Sequence, residues 1–342
     1  MDSVEPGASE RLVAALAGRS ALPPGWTAEA FAPVPVAMGE RPITVDQTNV
    51  SVVVGERIVV KWIADPSSGP HRAPRLLARL AAAGFTQTAP PYAAVHRDGK
   101  LVALVTGYLP DAQDGWDWCV DAALSADPFA ASLGRLTADL HAALATPAGP
   151  APGSGSDGAG WYERAVAAAG EAARLTPGDD GRWLEFRSAE FEAALRPLRA
   201  VGVTPVQTIH GDLHVGQVLK WRDGYAVIDF DGNPTVEGVD EPQPAARDVA
   251  QLLTSLEHVA QIAIKRRDAD PDAMGVWAKH ARRALLDAYM ARLGELGRPE
   301  IFDRRLLRAF EVEQECRELI YAARFLTRWR YAPMGVLRRW FG

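Results

Sequence analysis

The chain has 342 residues, and dividing by a typical domain length of about 150 gives a starting expectation of two domains. With 48% hydrophobic and 23% charged residues it has the composition of a globular protein, and a net charge of −6 argues against a dedicated nucleic-acid binder. Two cysteines, Cys119 and Cys316, are too few for a disulfide framework or a four-cysteine zinc site, no apolar run reaches the roughly 18 residues that would span a bilayer, and the acidic N-terminus is unlike a signal peptide.

Taken in chain order, a short amphipathic helix over residues 11–16 leads into a Pro-punctuated stretch, 22–42. Residues 50–54, 57–63 and 101–108 are β-branched runs that predict strands, the first two joined by a hairpin at Gly55-Glu56. Between the second and third, Leu76, Leu77 and Leu80 recur at helical spacing and predict a helix over 74–83. Beyond Pro110 the pattern changes to helices over 129–144, 161–174, 184–200, 249–267, 273–293 and 304–330. One strand-rich island, 206–230, interrupts them, and the Pro/Gly/Ser/Ala tract 146–160 reads as a mobile surface loop. The fold class is therefore α+β, with a small β-rich N-lobe over 1–110 and a larger, mainly helical C-lobe over 111–342.

The island carries the chemistry. It reads QTIHGDLHVGQVLKWRDGYAVIDFDGNP from Gln207 to Pro234, with a hairpin at Arg222-Asp223-Gly224 between two apolar strands. Such a hairpin places Asp212 near Asp229 and Asp231, 17 and 19 residues further on. Carboxylates crowded in one cleft repel unless a cation or a shared proton relieves them. With oxygen donors only, including the amide oxygen of Gln217, Mg²⁺ is the natural occupant, and Asp212 stays free to deprotonate a hydroxyl. Two alternatives stand beside this. The acids could merely cap loops, or His210 and His214 could bind zinc with an Asp, although no third His or Cys lies nearby.

The order of base, amide, strand and Asp-x-Asp is also that of a kinase catalytic loop followed by its metal-binding turn. A kinase needs a strand lysine for the nucleotide phosphates. Lys61 is the sole charge in the run Ile58-Val59-Val60-Lys61-Trp62-Ile63, in a chain with only five lysines. As a structural residue it would need a partner or incur a desolvation cost, and ATP phosphates are that partner. Main-chain groups around Thr106, Gly107 and Tyr108 would then face adenine, and Gln47-Thr48-Asn49-Val50-Ser51 would form the phosphate-covering turn.

These residues give the chain a resemblance to a known family. HGDLH…Gln…IDFD looks like the core of the aminoglycoside phosphotransferase-like (eukaryotic-like) kinases, and within them the match is closer to bacterial maltokinases. It extends over QTNVSVVVGERIVVKW, GYLPDAQDGWDW, ARDVAQLL and FEVEQE…YAARFLTRW, with Gln217 where the antibiotic kinases usually carry Asn. The resemblance implies a bilobal protein-kinase-like fold with an N-terminal cap, ATP and Mg²⁺ as cosubstrates, and phosphorylation of a sugar hydroxyl. It implies Asp212 as catalytic base, Gln217 and Asp229 as metal ligands assisted by Asp231, and an Asp248 that braces the catalytic loop. One departure stands out: the helix over 74–83 holds Arg75 and Arg79 but no acid to pair with Lys61.

A second departure concerns the substrate. Glu311, Glu315 and Glu318 fall at i, i+4 and i+7 and share one helix face, with Trp329 further along. They form either a solvated acidic face paired to Arg308 and Arg317, or a cleft offering carboxylates to a cationic substrate. A neutral disaccharide gives no reason to add carboxylates, whereas the ammonium of an aminosugar does. This resembles the actinobacterial glucosamine kinases and implies glucosamine phosphorylated at O6, with Asp212, His214, Glu311, Glu315, Glu318 and Trp329 at the sugar. Maltose, aminoglycosides and a nucleotide-binding pseudokinase are the alternatives. The chain is expected to be cytoplasmic and monomeric, acting on an aminosugar and ATP, with neither nucleic acid nor membrane as partner.

Overall fold

The β-branched runs near the N-terminus build an antiparallel six-stranded sheet: β1 (Trp26–Ala30), β2 (Glu40–Pro42), β3 (Val50–Val54), β4 (Ile58–Trp62), β5 (Pro91–Arg97) and β6 (Lys100–Gly107), in spatial order β1-β5-β6-β4-β3-β2. Side chains alternate across it. On one face Val52, Val54, Ile58, Val60, Ala103 and Val105 pack with Leu12 and Val13 of helix α1 (Ala8–Leu16). The opposite face presents Ser51, Lys61 and Leu104, which lie in register across three adjacent strands. Helix α2 (Arg72–Ala82) buries Leu76, Leu77 and Leu80. The computed structural model describes residues 5–43, 49–64, 66, 71–145, 151–152, 155–200, 202–233 and 240–342. Gln47 and Thr48 of the expected phosphate-covering turn lie outside them.

The helical part holds α3 (Gly115–Ser125), α4 (Ala130–Leu144), the short strand β7 (Ala151–Pro152), α5 (Gly155–Leu175), α6 (Gly178–Phe186) and α7 (Ser188–Arg199). Strand β8 (Pro205–Val206) pairs with β7, and β9 (Val218–Trp221) with β10 (Gly224–Val227). Then come α8 (Ala246–Arg267), α9 (Pro271–Glu295), α10 (Leu307–Arg324) and α11 (Tyr331–Phe341).

Contacts divide the chain into two units, Met1–Gln113 with Leu219–Gly232, and Asp114–Val218 with Asn233–Gly342. The β9–β10 hairpin is thus tied to the sheet-bearing unit. The amide of Val227 donates to Gln87, Thr88 Oγ1 donates to the Val227 carbonyl, and the Gln113 amide donates to Lys220.

The structure departs from expectation in four places. Strands β1, β2 and β5 and helix α3 were not foreseen; of these, β1 and β2 are largely exposed and carry little apolar periodicity. Residues 155–160, expected in a mobile loop, begin α5 instead. The expected helix over 184–200 divides into α6 and α7 at Arg187. The helix expected over 304–330 ends at Arg324, and a 3₁₀ turn, Thr327–Trp329, separates it from α11.

Candidate functional site

In the first unit, a cavity of about 500 Å³ is lined by Ser51, Lys61, Leu104, Thr106 and Gly107 of the sheet, by Tyr108 just beyond it, and by Asp229 and Asp231 of the turn after β10. Lys61 Nζ donates to Asp229 Oδ1 at 3.3 Å and to Asp231 Oδ2 at 3.1 Å. The acid missing from α2 is therefore supplied by the turn after β10. Burial alone would lower the Lys61 pKa, but the charges of the two aspartates outweigh it and hold the ammonium above its ordinary range. Asp229 adopts a left-handed backbone, φ 62°, which costs a non-glycine residue about 1 kcal/mol or more. That conformation presents its carboxylate to Lys61.

The second unit holds the HGD loop. Asp248, fully buried in the first turn of α8, accepts from the amides of His210 at 2.6 Å and Gly211 at 2.8 Å, and faces His141 Nε2 at 3.1 Å. His141 Nδ1 in turn meets the Tyr289 hydroxyl at 2.8 Å. Burial opposes ionisation of Asp248, yet the hydrogen bond from His141, together with the charges of His141 and His210, keeps its pKa below the usual value. The brace expected at Asp248 is thus realised through backbone amides.

One turn along α8, Gln251 Nε2 donates to Asp212 Oδ1 at 2.7 Å, and Asn233 Nδ2 donates to the same oxygen at 3.1 Å. Two amides converge on Oδ1, while Oδ2 faces His214 Nε2 at 4.0 Å. The carboxylate is oriented with one oxygen committed and the other open to a hydroxyl. His214 Nδ1 accepts from the Gly216 amide, which leaves the ring proton on Nε2, and the ring stacks on Trp116 at 5.6 Å. The Nδ1 atoms of His210 and His214 both accept from backbone amides, and among the described residues no three His, Cys, Asp or Glu side chains group as metal ligands.

Asp212, His214, Gln251 and Asn233 share a second cavity, of about 560 Å³, with Trp116, Asp117, Gln314, Glu318 and Trp329. Trp329 Nε1 donates to Glu318 Oε2 at 2.7 Å and Gln314 Nε2 donates to Oε1 at 3.0 Å, so the carboxylate is fixed by one donor on each oxygen. Trp116 and Trp329 meet edge to face at 5.6 Å.

Of Glu311, Glu315 and Glu318 on α10, Glu318 alone lines this cavity. Glu311 is buried against Arg282 at 2.7 Å and Arg308 at 3.4 Å. Glu315 is fully buried with His258 at 2.9 Å. Neither arrangement is a solvated acidic face, and Arg317 pairs with Glu313 instead. Burial pushes the Glu315 carboxyl from its ordinary 4.5 to about 7, against the opposing charge of His258. His258 is raised in turn: desolvation acts to lower it, but the charge and hydrogen bond of Glu315 together with the charge of Glu318 outweigh that burial.

Gln217 lies in the second unit, at the end of a single 3₁₀ turn, Val215–Gln217, whereas Asp229 and Asp231 lie in the first. Sequence reasoning missed Gln251, Asn233, Trp116 and Gln314. A signal for the first was present: Asp248, Gln251, Ser255 and His258 recur on α8 at i, i+3, i+7 and i+10, a polar stripe on a buried helix.

Residues 40–232 match the APH phosphotransferase enzyme family. The chain is 41% identical to a glucosamine kinase of Streptacidiphilus jiangxiensis over 348 aligned positions, spanning 96% of this chain and 79% of that one. It is 42% identical to a glucosamine kinase of Mycolicibacterium smegmatis over 318 positions, spanning 88% and 79%. A solved structure of a glucosamine kinase in complex with glucosamine, ADP and inorganic phosphate matches with a TM-score of 0.86 at 37% identity, over 98% of this chain and 83% of that one. The family match runs from β2, through the strand of Lys61 and the HGD loop, to the turn bearing Asp229 and Asp231, and on that ground the chain belongs to the APH phosphotransferase family of kinases.

Proposed function

We propose that this chain is an ATP-dependent glucosamine kinase that transfers the γ-phosphoryl group of ATP to the 6-hydroxyl of glucosamine. The observation that carries the reading is the second-unit cavity, where a carboxylate with one open oxygen and a carboxylate fixed for a cation stand among tryptophan rings. Asp212 Oδ2 accepts the proton of the attacking hydroxyl, while Gln251 and Asn233 hold the carboxylate by Oδ1. Glu318 reads the substrate ammonium: each oxygen keeps a lone pair beyond its bond to Trp329 or Gln314, and a charge-assisted hydrogen bond is about twice as strong as a neutral one. Trp116 and Trp329 supply apolar surface for the sugar ring.

The nucleotide occupies the first-unit cavity, with Lys61 at its phosphates and the main chain of residues 106–108 at adenine. Asp229 and Asp231 are hard oxygen donors, and a pair of carboxylates plus substrate phosphates is the usual way a protein holds Mg²⁺. These two would hold the ion, and once bound it would neutralise charge on the transferred phosphoryl group. The reaction's two carbohydrate-side tasks, proton acceptance and ammonium recognition, fall to this chain's own residues.

A coupled assay with ATP and Mg²⁺, comparing glucosamine, glucose, N-acetylglucosamine and maltose, tests the reading. Glucosamine is expected to be preferred over both glucose and the N-acetyl sugar, because only the free amine offers a cation to Glu318. A preference for maltose would overturn it.

A further inference from the structure

His258 and Glu315 take no part in the steps assigned above, yet both are buried, with side chains 3% and 0% exposed. A buried ion pair is rarely more stabilising than apolar residues of similar volume. This one also leaves Glu315 Oε1 buried without a hydrogen-bond partner. Stability alone therefore gives no reason for the pair to be there.

Its surroundings give one. The His258 ring meets the Trp329 ring edge to face at 5.4 Å. Trp329 sits on the single 3₁₀ turn between α10 and α11, so no long helix fixes its ring and its neighbours must. From that position its indole N–H reaches Glu318. Glu315 lies one turn before Glu318 on α10 and anchors His258 from α8, so the pair links the two helices directly behind the ring.

We infer that His258, anchored by Glu315, is a positioning residue that holds the Trp329 ring, and through it the Glu318 carboxylate, in the orientation that reads the ammonium of the substrate. This rests on the glucosamine kinase reading. It assigns discrimination between an aminosugar and its neutral counterpart to a buried pair, His258 at the wall of the cavity and Glu315 behind it.

The test measures kcat and KM for glucosamine and glucose, and KM for ATP, in the wild type and in His258→Leu, His258→Gln and Glu315→Gln, with near-UV circular dichroism to establish native packing. The glucosamine-to-glucose ratio of kcat/KM is expected to fall about tenfold in His258→Leu and Glu315→Gln, chiefly through a higher glucosamine KM. The KM for ATP should not move. His258→Gln, which keeps an N–H for Glu315, should restore most of the ratio. A ratio that is unchanged in folded variants, or a parallel loss for both sugars, overturns the positioning role and leaves the function intact. If His258→Leu does not fold, the isosteric Glu315→Gln carries the same comparison. A wild type with no preference for glucosamine over glucose overturns the functional reading and this inference together.

Discussion

At Asp212 two side-chain amides bind one carboxylate oxygen, while the other faces His214 Nε2 at 4.0 Å, beyond hydrogen-bond distance. A general base needs this asymmetry, because an oxygen already committed to two donors is a poor proton acceptor. Replacing Asp212 with alanine is accordingly expected to lower kcat by about 10²–10⁴-fold, the range for loss of a general base, with nucleotide affinity nearly intact. Steady-state kinetics and ADP titration check it, and activity within tenfold of wild type would show that Asp212 is not the base. The residue types of this site were legible in the sequence: a lone lysine in an apolar strand and an HGD loop followed by Asp-x-Asp leave few other readings. Their partners were not. Lys61 finds its acids 168 and 170 positions away, a pairing that local pattern cannot contain. The glutamates of α10 show the same limit. Spacing places Glu311, Glu315 and Glu318 on one side of a helix, but a helix face is broad, and Arg282 and His258 on neighbouring helices decide which of the three remains available.

Helices position these residues by close approach. α8 delivers Asp248 to the amides of residues 210 and 211, Gln251 to Asp212, the Ser255 hydroxyl to the amide of Val215, and His258 to Trp329. One face of one helix thus sets the catalytic loop and the ring beside Glu318. Behind it, α4 carries His141 and α9 carries Tyr289, which meet Asp248 in sequence, and these two helices cross at Gly134. A methyl group at Gly134 would run into the Leu285 carbonyl oxygen and come within 2.9 Å of the Tyr289 amide nitrogen, both backbone atoms of α9. Two effects compete in Gly134→Ala. Helix propensity favours alanine by about 1 kcal/mol. Overpacking a close contact costs about 1–3 kcal/mol, and backbone atoms cannot rotate away, so the steric term is expected to win. Urea unfolding should show net destabilisation. A more stable variant would mean that the two helices lie further apart than described. Alternation and helical spacing had shown where α4, α8 and α9 lie, but a crossing point is a property of two helices together and leaves only a glycine as its trace.

Across the whole molecule, the sequence displayed the change from strands to helices because periodicity shifts from two to 3.6 near Pro110. It did not display the exposed strands β1 and β2, where no buried face imposes a pattern. Nor did it display that the chain returns to the sheet-bearing unit at Leu219 and leaves it again after Gly232, since those contacts are made by backbone groups. Buried charge is likewise a property of the assembled molecule, and it makes stability depend on pH. Glu315 titrates at about 7 in the folded protein and near 4.5 when exposed, so between these values the native state binds the additional proton. Stability therefore falls as pH rises from about 4.5 to about 7, the slope being set by the difference in bound protons. His258 acts in the same direction: its pKa is raised above 6.5, so its contribution is complete below that value and is lost as pH rises through the folded pKa. The charges of Glu318 and Arg282 enter the same balance, the first favouring the proton on Glu315 and the second opposing it. In Glu315→Gln the carboxyl can no longer take up a proton on folding, and His258 loses the charge that raised it. The advantage of wild type over Glu315→Gln in urea unfolding should consequently be larger at pH 5 than at pH 7.5. An advantage that is equal at the two pH values, or that grows with pH, would mean that the native state takes up no additional proton at the His258–Glu315 pair over this range.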